Sequence, residues 1–183
     1  MAGVAVIVID VQHAFFSGPN AAYRGDAVID GINRLTEAAR AAGTPVFIVQ
    51  HDKPGDEEVE FGSDGWQLPD SLVRTDDDRM VRKSVGDSFH GTGLKEQLEQ
   101  LGIDRLVLCG FATEYCVNTG ARSAALLGYE TTVVSDLHTT QQGPDLTPSQ
   151  IVEHHNRVWA SSSLQGNRLT VRPLAEVLAT EFA

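Results

Sequence analysis

Short apolar runs alternate with amphipathic helical stretches along almost the whole chain, and that alternation constrains the fold more than any other feature. Val4 to Ile9 is a nearly unbroken β-branched run, as expected of a strand covered on both faces. From Asp26 or Ala27 to Ala42, the residues Val28, Ile29, Ile32, Leu35, Ala38 and Ala39 follow helical spacing, and Gly43 ends the pattern. Pro45 to Val49 reads as a second buried strand, followed by a polar stretch from His51 to Asp78 rich in Gly, Pro and Asp. A loop of that length in a compact domain is usually functional or mobile. A short strand around Met80 to Arg82 and a helix over Thr92 to Leu101 come next. Further strands are predicted at Leu106 to Cys109, Thr131 to Ser135 and Leu169 to Val171, with helices at Pro148 to Ala160 and Leu174 to Leu178.

Strands alternating with helices imply a parallel sheet with right-handed crossovers and helices on both faces. The expected fold is a Rossmann-like α/β/α sandwich with six mostly parallel strands in the order 3-2-1-4-5-6. With 183 residues, the chain suits a single domain spanning 1–183. In that strand order, strands one and four flank the switch point where open α/β sheets bind ligands.

Three chemical groups fall at strand ends facing this point. Asp10 follows strand one, Lys83 follows strand three, and Cys116 follows strand four. Taken singly, Asp10 reads equally as a cap and Lys83 as a surface lysine, and a free cysteine is most often a small buried hydrophobe. Convergence of the three is the stronger signal. Gly110 is read as the break that ends strand four, and a helix from Thr113 to Gly128 puts Cys116 in its first turn. There the unpaired N–H groups and the helix dipole favour a thiolate. Cys109, inside the strand, reads as core.

A formal charge of −11 argues against nucleic acid and anionic membranes as partners. No apolar run has the length of a membrane span, and Met1 opens directly onto a strand with no signal-like leader. Two cysteines do not make a disulfide framework, which points to a reducing cytoplasm. The six histidines show no metal-ligand spacing. Phe15, Phe16, Trp66 and Phe89 lie in or beside loops near the inferred crevice, as core or as pocket lining.

These segments resemble the isochorismatase-like cysteine hydrolases, a superfamily that includes nicotinamidases, N-carbamoyl amidases and streptothricin hydrolases. The resemblance runs through Val8-Ile-Asp-Val-Gln12, Arg82-Lys-Ser84, Asp87-Ser-Phe-His-Gly-Thr92, Gly110-Phe-Ala-Thr-Glu-Tyr-Cys-Val117 and Ser135-Asp-Leu-His-Thr-Thr140. It implies a catalytic triad of Asp10, Lys83 and Cys116. It also implies a cis peptide between Phe111 and Ala112, and an oxyanion hole made by the backbone N–H groups of Ala112 and Cys116. Gln12, Phe16, Trp66, Phe89, Tyr115 and His138 become candidate pocket residues.

Nicotinamidases carry Asp-x-His after strand two and bind a divalent metal there; this chain has Gln50-His-Asp-Lys-Pro54 instead, so no metal and no cofactor are expected. The implied activity is hydrolysis of a carbon–nitrogen bond (amide, carbamoyl or lactam) in a small molecule, through a thioester on Cys116. Two alternatives stand beside it: an isochorismatase-type ether hydrolase without covalent catalysis, and a non-catalytic binding module. The resemblance further suggests a homodimer or larger homo-oligomer.

Overall fold

A computed structural model describes residues 3–164 and 167–182. Its centre is a sheet in the order β3-β2-β1-β4-β5-β7-β6. Six of these strands are parallel: β1 (Gly3–Ile9), β2 (Val46–His51), β3 (Arg79–Lys83), β4 (Ile103–Phe111), β5 (Glu130–Thr139) and β7 (Asn167–Arg172). They reproduce the order 3-2-1-4-5-6 read from the sequence, where the run at Leu169 to Val171 was counted sixth. The added strand, β6 (Ser163–Leu164), pairs antiparallel with β7, and at two residues it is too short to leave a periodic signal.

The β-branched runs make strands because both of their faces are covered. From β1, Ala5, Ile7 and Ile9 join one core with Leu94 and Leu98 of α3 (Leu94–Gln100), Ala121, Ala124 and Ala125 of α4 (Asn118–Leu126), and Trp159 of α5 (Pro148–Ser161). Val6 and Val8 point the other way, to Ile29, Ile32 and Leu35 of α2 (Gly25–Ala41) and Leu174 and Val177 of α6 (Leu174–Thr180). Local chemistry sets the helix starts as well. Thr147 and Gln150 form a reciprocal capping box, with Pro148 at the first helical position of α5.

Two local expectations change, and one short helix is added. Gly110 does not end β4: the strand runs on to Phe111, and Gly110 pairs with Ile9 of β1. Its φ of 122° and the backbone of Ile9, whose carbonyl oxygen lies 2.0 Å from where a Cβ would sit, explain the glycine as a close approach, not a breaker. A one-turn helix, α1 (His13–Phe16), follows β1. Residues 113–117 form a π-helical turn ahead of α4, so Cys116 precedes the α-helix instead of opening it.

The long 52–78 segment contains no helix or strand, but it is tied down. Asn33 of α2 donates to the Ser71 carbonyl at 2.8 Å and accepts from the Val73 N–H at 2.9 Å. Arg40 makes two hydrogen bonds to the Asp78 carboxylate at 3.0 and 2.8 Å. Gln12 and Gln50 both donate to the Trp66 carbonyl, at 3.1 and 2.8 Å.

The Gly110 contact yields a test. Gly110→Ala combines a disfavoured backbone conformation with a backbone clash, and should cost about 3 kcal/mol or more of unfolding free energy by chemical denaturation. Gly128→Ala, also at positive φ but with open space around the added Cβ, should cost clearly less.

Candidate active site

The carboxyl ends of β1, β2 and β3 bring three side chains together. Asp10, immediately after β1, has a left-handed backbone (φ 51°), and its N–H donates to the Val49 carbonyl of β2 at 2.8 Å. His51 ends β2 and Lys83 ends β3, and the two are register partners in the sheet. From the other side of the switch point, β4 and the π-helical turn deliver Cys116. In that turn the Ala112 carbonyl accepts from the N–H groups of Tyr115 and Val117 at 3.0 and 3.1 Å. The peptide between Phe111 and Ala112 is cis.

Lys83 is the hub. Its Nζ lies 2.8 Å from Asp10 Oδ2, with the lysine side chain 0% and the aspartate side chain 2% exposed. The same nitrogen is 3.1 Å from His51 Nδ1, 3.2 Å from Cys116 Sγ and 3.2 Å from the Val85 carbonyl oxygen. Four acceptors surround an ammonium that has three hydrogens. Asp10 Oδ1, by contrast, is buried and has no hydrogen-bond partner among the described residues.

Burial raises the Asp10 pKa, against the opposing pull of Lys83. Burial and then the Asp10 charge push the Cys116 thiol up to about 12, although Lys83 pulls it down. The resting sulfur is therefore a thiol. Desolvation thus works against the thiolate that a helix start was expected to favour. Burial, then Lys83, lowers the His51 pKa, and both favour the neutral imidazole.

Asp10, His51 and Cys116 each place a ligating atom within 4.8 Å of the others, which resembles a cation site. The Lys83 ammonium already contacts all three, so a divalent ion there would meet a positive charge. The set does not fit a metal.

The six candidate pocket residues separate into different roles. Gln12 is fully buried and occupied: its Nε2 donates to the His51 and Trp66 carbonyls, and its Oε1 accepts the His51 N–H at 2.7 Å. His138 is buried with both ring nitrogens used, Nδ1 at 2.9 Å from Thr113 Oγ1 and Nε2 at 2.9 Å from Asn156 Oδ1, and burial takes its pKa down to about 4. Through these bonds both residues brace the segments around the site. Phe89 packs on the core and stacks with Tyr129, while Phe16 sits edge-on to Phe111, against which Phe15 stacks. Trp66 meets Phe61 edge to face, and the guanidinium of Arg82 lies over Phe61 at 3.6 Å while pairing with Asp52. Tyr115 is 68% exposed, beside the thiol in sequence.

His51 is the member that the sequence reading left out. Its signal was present: in a 3-2-1-4 order, a histidine ending strand two must fall between the ends of strands one and three.

A three-layer sheet with an acid, an ammonium and a thiol gathered at its switch point defines an α/β protein built like an enzyme. A family model described as an isochorismatase domain matches residues 4–153. A streptothricin hydrolase of Streptomyces noursei is 36% identical over 141 residues, 76% of this chain and 51% of that protein. The chain spans about half the length of the curated streptothricin hydrolases it matches. A crystal structure of an isochorismatase family protein matches with a TM-score of 0.84 at 33% identity, covering 92% of this chain and 96% of its own. N-carbamoylsarcosine amidase from Thermoplasma acidophilum matches with a TM-score of 0.75 at 25% identity, covering 94% and 96%. The chain belongs to the isochorismatase family, a hydrolase superfamily with amidase relatives.

The buried pair gives a second test. Lys83→Met strands the Asp10 carboxylate and should cost about 3–5 kcal/mol at pH 8. Because burial raises the Asp10 pKa, the folded variant binds a proton that the unfolded chain has already released. Its stability should then recover as pH falls towards the unfolded carboxylate value, by more than in the wild type, in urea melts run across that range.

Proposed function

We propose that this protein is a metal-independent cysteine hydrolase that cleaves a carbon–nitrogen bond (amide, carbamoyl or lactam) of a small molecule. One observation carries the reading: a single buried ammonium, Lys83 Nζ, is hydrogen-bonded to both Asp10 Oδ2 and Cys116 Sγ. Moving the thiol proton to the carboxylate shifts one negative charge from oxygen to sulfur. The ammonium touches both ends of that shift, so no new buried charge is created. Loss of the proton to water would isolate an extra charge, and a thiol pushed up to about 12 reflects that cost. Internal transfer avoids it.

In the proposed cycle, Asp10 accepts the Cys116 proton and Sγ attacks the substrate carbonyl carbon. The N–H groups of Ala112 and Cys116 hold the developing oxyanion. As the tetrahedral species collapses, the carbon–nitrogen bond breaks and the amine leaves with the proton from Asp10, which gives a Cys116 thioester. Asp10 then takes a proton from water as its oxygen attacks the thioester carbon. The acid is released and the thiolate regains its proton. Among the described residues no helix is long and apolar enough to cross a membrane. A cytoplasmic setting and a homodimer or larger assembly complete the reading.

The test is amine or ammonia release from a panel of small amides, carbamoyl compounds and lactams. Wild type should act on one class, and Cys116→Ala should fall to background, a loss of about 10⁴-fold or more. Asp10→Asn should fall comparably while leaving the thiol present. Turnover retained in Cys116→Ala would overturn the covalent scheme and favour ether-type hydrolysis through Asp10 and Lys83.

A further inference from the structure

One helix holds both ends of the π-helical turn that carries Cys116. At the far end, Trp159 of α5 donates through Nε1 to Oδ1 of Asn118, where α4 begins, at 2.9 Å. At the near end Asn156, on the same face of α5, reaches Thr113 through His138. Between them Val117 is wholly buried, and Lys83 Nζ contacts Cys116 Sγ. The sulfur is thus fixed from the Asn118 end and by the ammonium. The Ala112 N–H, one residue ahead of Thr113, lies at the other end.

The polarity of that near end is set from α5 inward. Asn156 Nδ2 donates to the Ser135 carbonyl at 3.0 Å, so the amide oxygen is the atom facing His138. An amide oxygen only accepts, and His138 Nε2, 2.9 Å away, therefore carries the ring proton. Burial takes the His138 pKa down to about 4, so at pH 7 the ring is neutral and Nδ1 keeps its lone pair. The Thr113 hydroxyl, 2.9 Å from Nδ1 and wholly buried, must then donate to it. Reversing any one of these bonds would set two donors or two acceptors face to face.

We propose that Asn156, His138 and Thr113 form a positioning chain for the oxyanion hole: α5 sets the His138 tautomer, the tautomer turns the Thr113 hydroxyl towards β5, and that anchor aims the Ala112 N–H at the developing oxyanion. The inference rests on the reading of Cys116 as a nucleophile that attacks a carbonyl. An oxyanion donor acts only within hydrogen-bond distance, so a turn released at Thr113 loses carbonyl addition. Displacement at a saturated carbon develops no oxyanion, and the sulfur keeps its own anchors. Two reactions of one thiol should therefore part company.

Two reagents separate them without a known substrate. p-Nitrophenyl acetate acylates the thiol: sulfur adds to the ester carbonyl, the thiol proton passes to Asp10, and p-nitrophenolate leaves on collapse. Iodoacetamide alkylates the sulfur with loss of iodide. The p-nitrophenolate burst and the alkylated mass are followed at pH 7.5, net of Cys116→Ala, beside a urea melt. Thr113→Val, and independently His138→Leu, should acylate about tenfold slower or more while alkylating within about threefold of wild type. Thr113→Ser keeps the hydroxyl and should stay within about threefold of wild type in both reactions. Wild-type acylation in a folded Thr113→Val or His138→Leu would overturn the proposal. So would equal slowing of both reactions, the mark of a purely structural brace, or a Thr113→Ser as slow to acylate as the valine variant. A wild-type thiol that alkylates but is not acylated would sink both this proposal and the nucleophile reading. If the amide panel stays silent while the split holds, the proposed reaction fails and the positioning chain stands.

Discussion

The buried ammonium of Lys83 is the contact on which the rest of the site depends. Removing a lysine and an aspartate from water costs several kcal/mol per ion, and their attraction offsets this only with close geometry and further hydrogen bonds. Here the geometry comes from the sheet. Parallel pairing of β1, β2 and β3 aligns Asp10, His51 and Lys83 at one edge, and the Ile9–Gly110 approach brings β4 close enough to present Cys116. The side chains do not have to find one another, because the register of four strands has already done so. Their cost is met by the hydrophobic packing on both sheet faces, where most strand residues of β1 and β2 are buried.

This arrangement disfavours a free thiolate in the resting site. A helix terminus or a nearby cation can hold a thiolate in a solvated crevice. In this site the same cation is shared with a carboxylate, and desolvation acts on both acids. Reactivity then depends on exchange within the cluster, not on the sulfur alone. The outer braces fit that view. His138 fixes Thr113, the first residue of the π-helical turn, and Asn156 fixes His138 while donating to the Ser135 carbonyl at 3.0 Å. A chain of neutral hydrogen bonds thus ties α5 and β5 to the turn that carries Cys116.

Much of this was legible in the sequence because the strongest signals are one-dimensional. Uninterrupted β-branched runs mark strands buried on both faces, and strand order follows from crossover rules once those runs are counted. Asp10, Lys83 and Cys116 could be brought together on that basis alone. What was not legible depends on contacts between segments. Gly110 looks like a breaker until the Ile9 backbone is seen against it. Gln12 looks like a pocket amide, since nothing in its neighbourhood reveals that its partners are His51 and Trp66. His138 sits in a family-like motif, yet both its nitrogens serve the scaffold. His51 was passed over because a histidine followed by Asp, Lys, Pro and Gly reads as the start of a loop.

The two sulfurs of this chain occupy opposite faces of the same sheet. Cys116 packs half-buried against the α3–α4–α5 core, whereas Cys109 is wholly enclosed on the α2–α6 side, and burial raises its pKa. Six residues of sequence therefore separate two clocks. A reagent in solution can reach one sulfur through the native site, but reaches the other only when the central strands part. Labelling followed over time would read the state of the Lys83 cluster from the first and the opening of the whole sheet from the second, in one protein and one experiment.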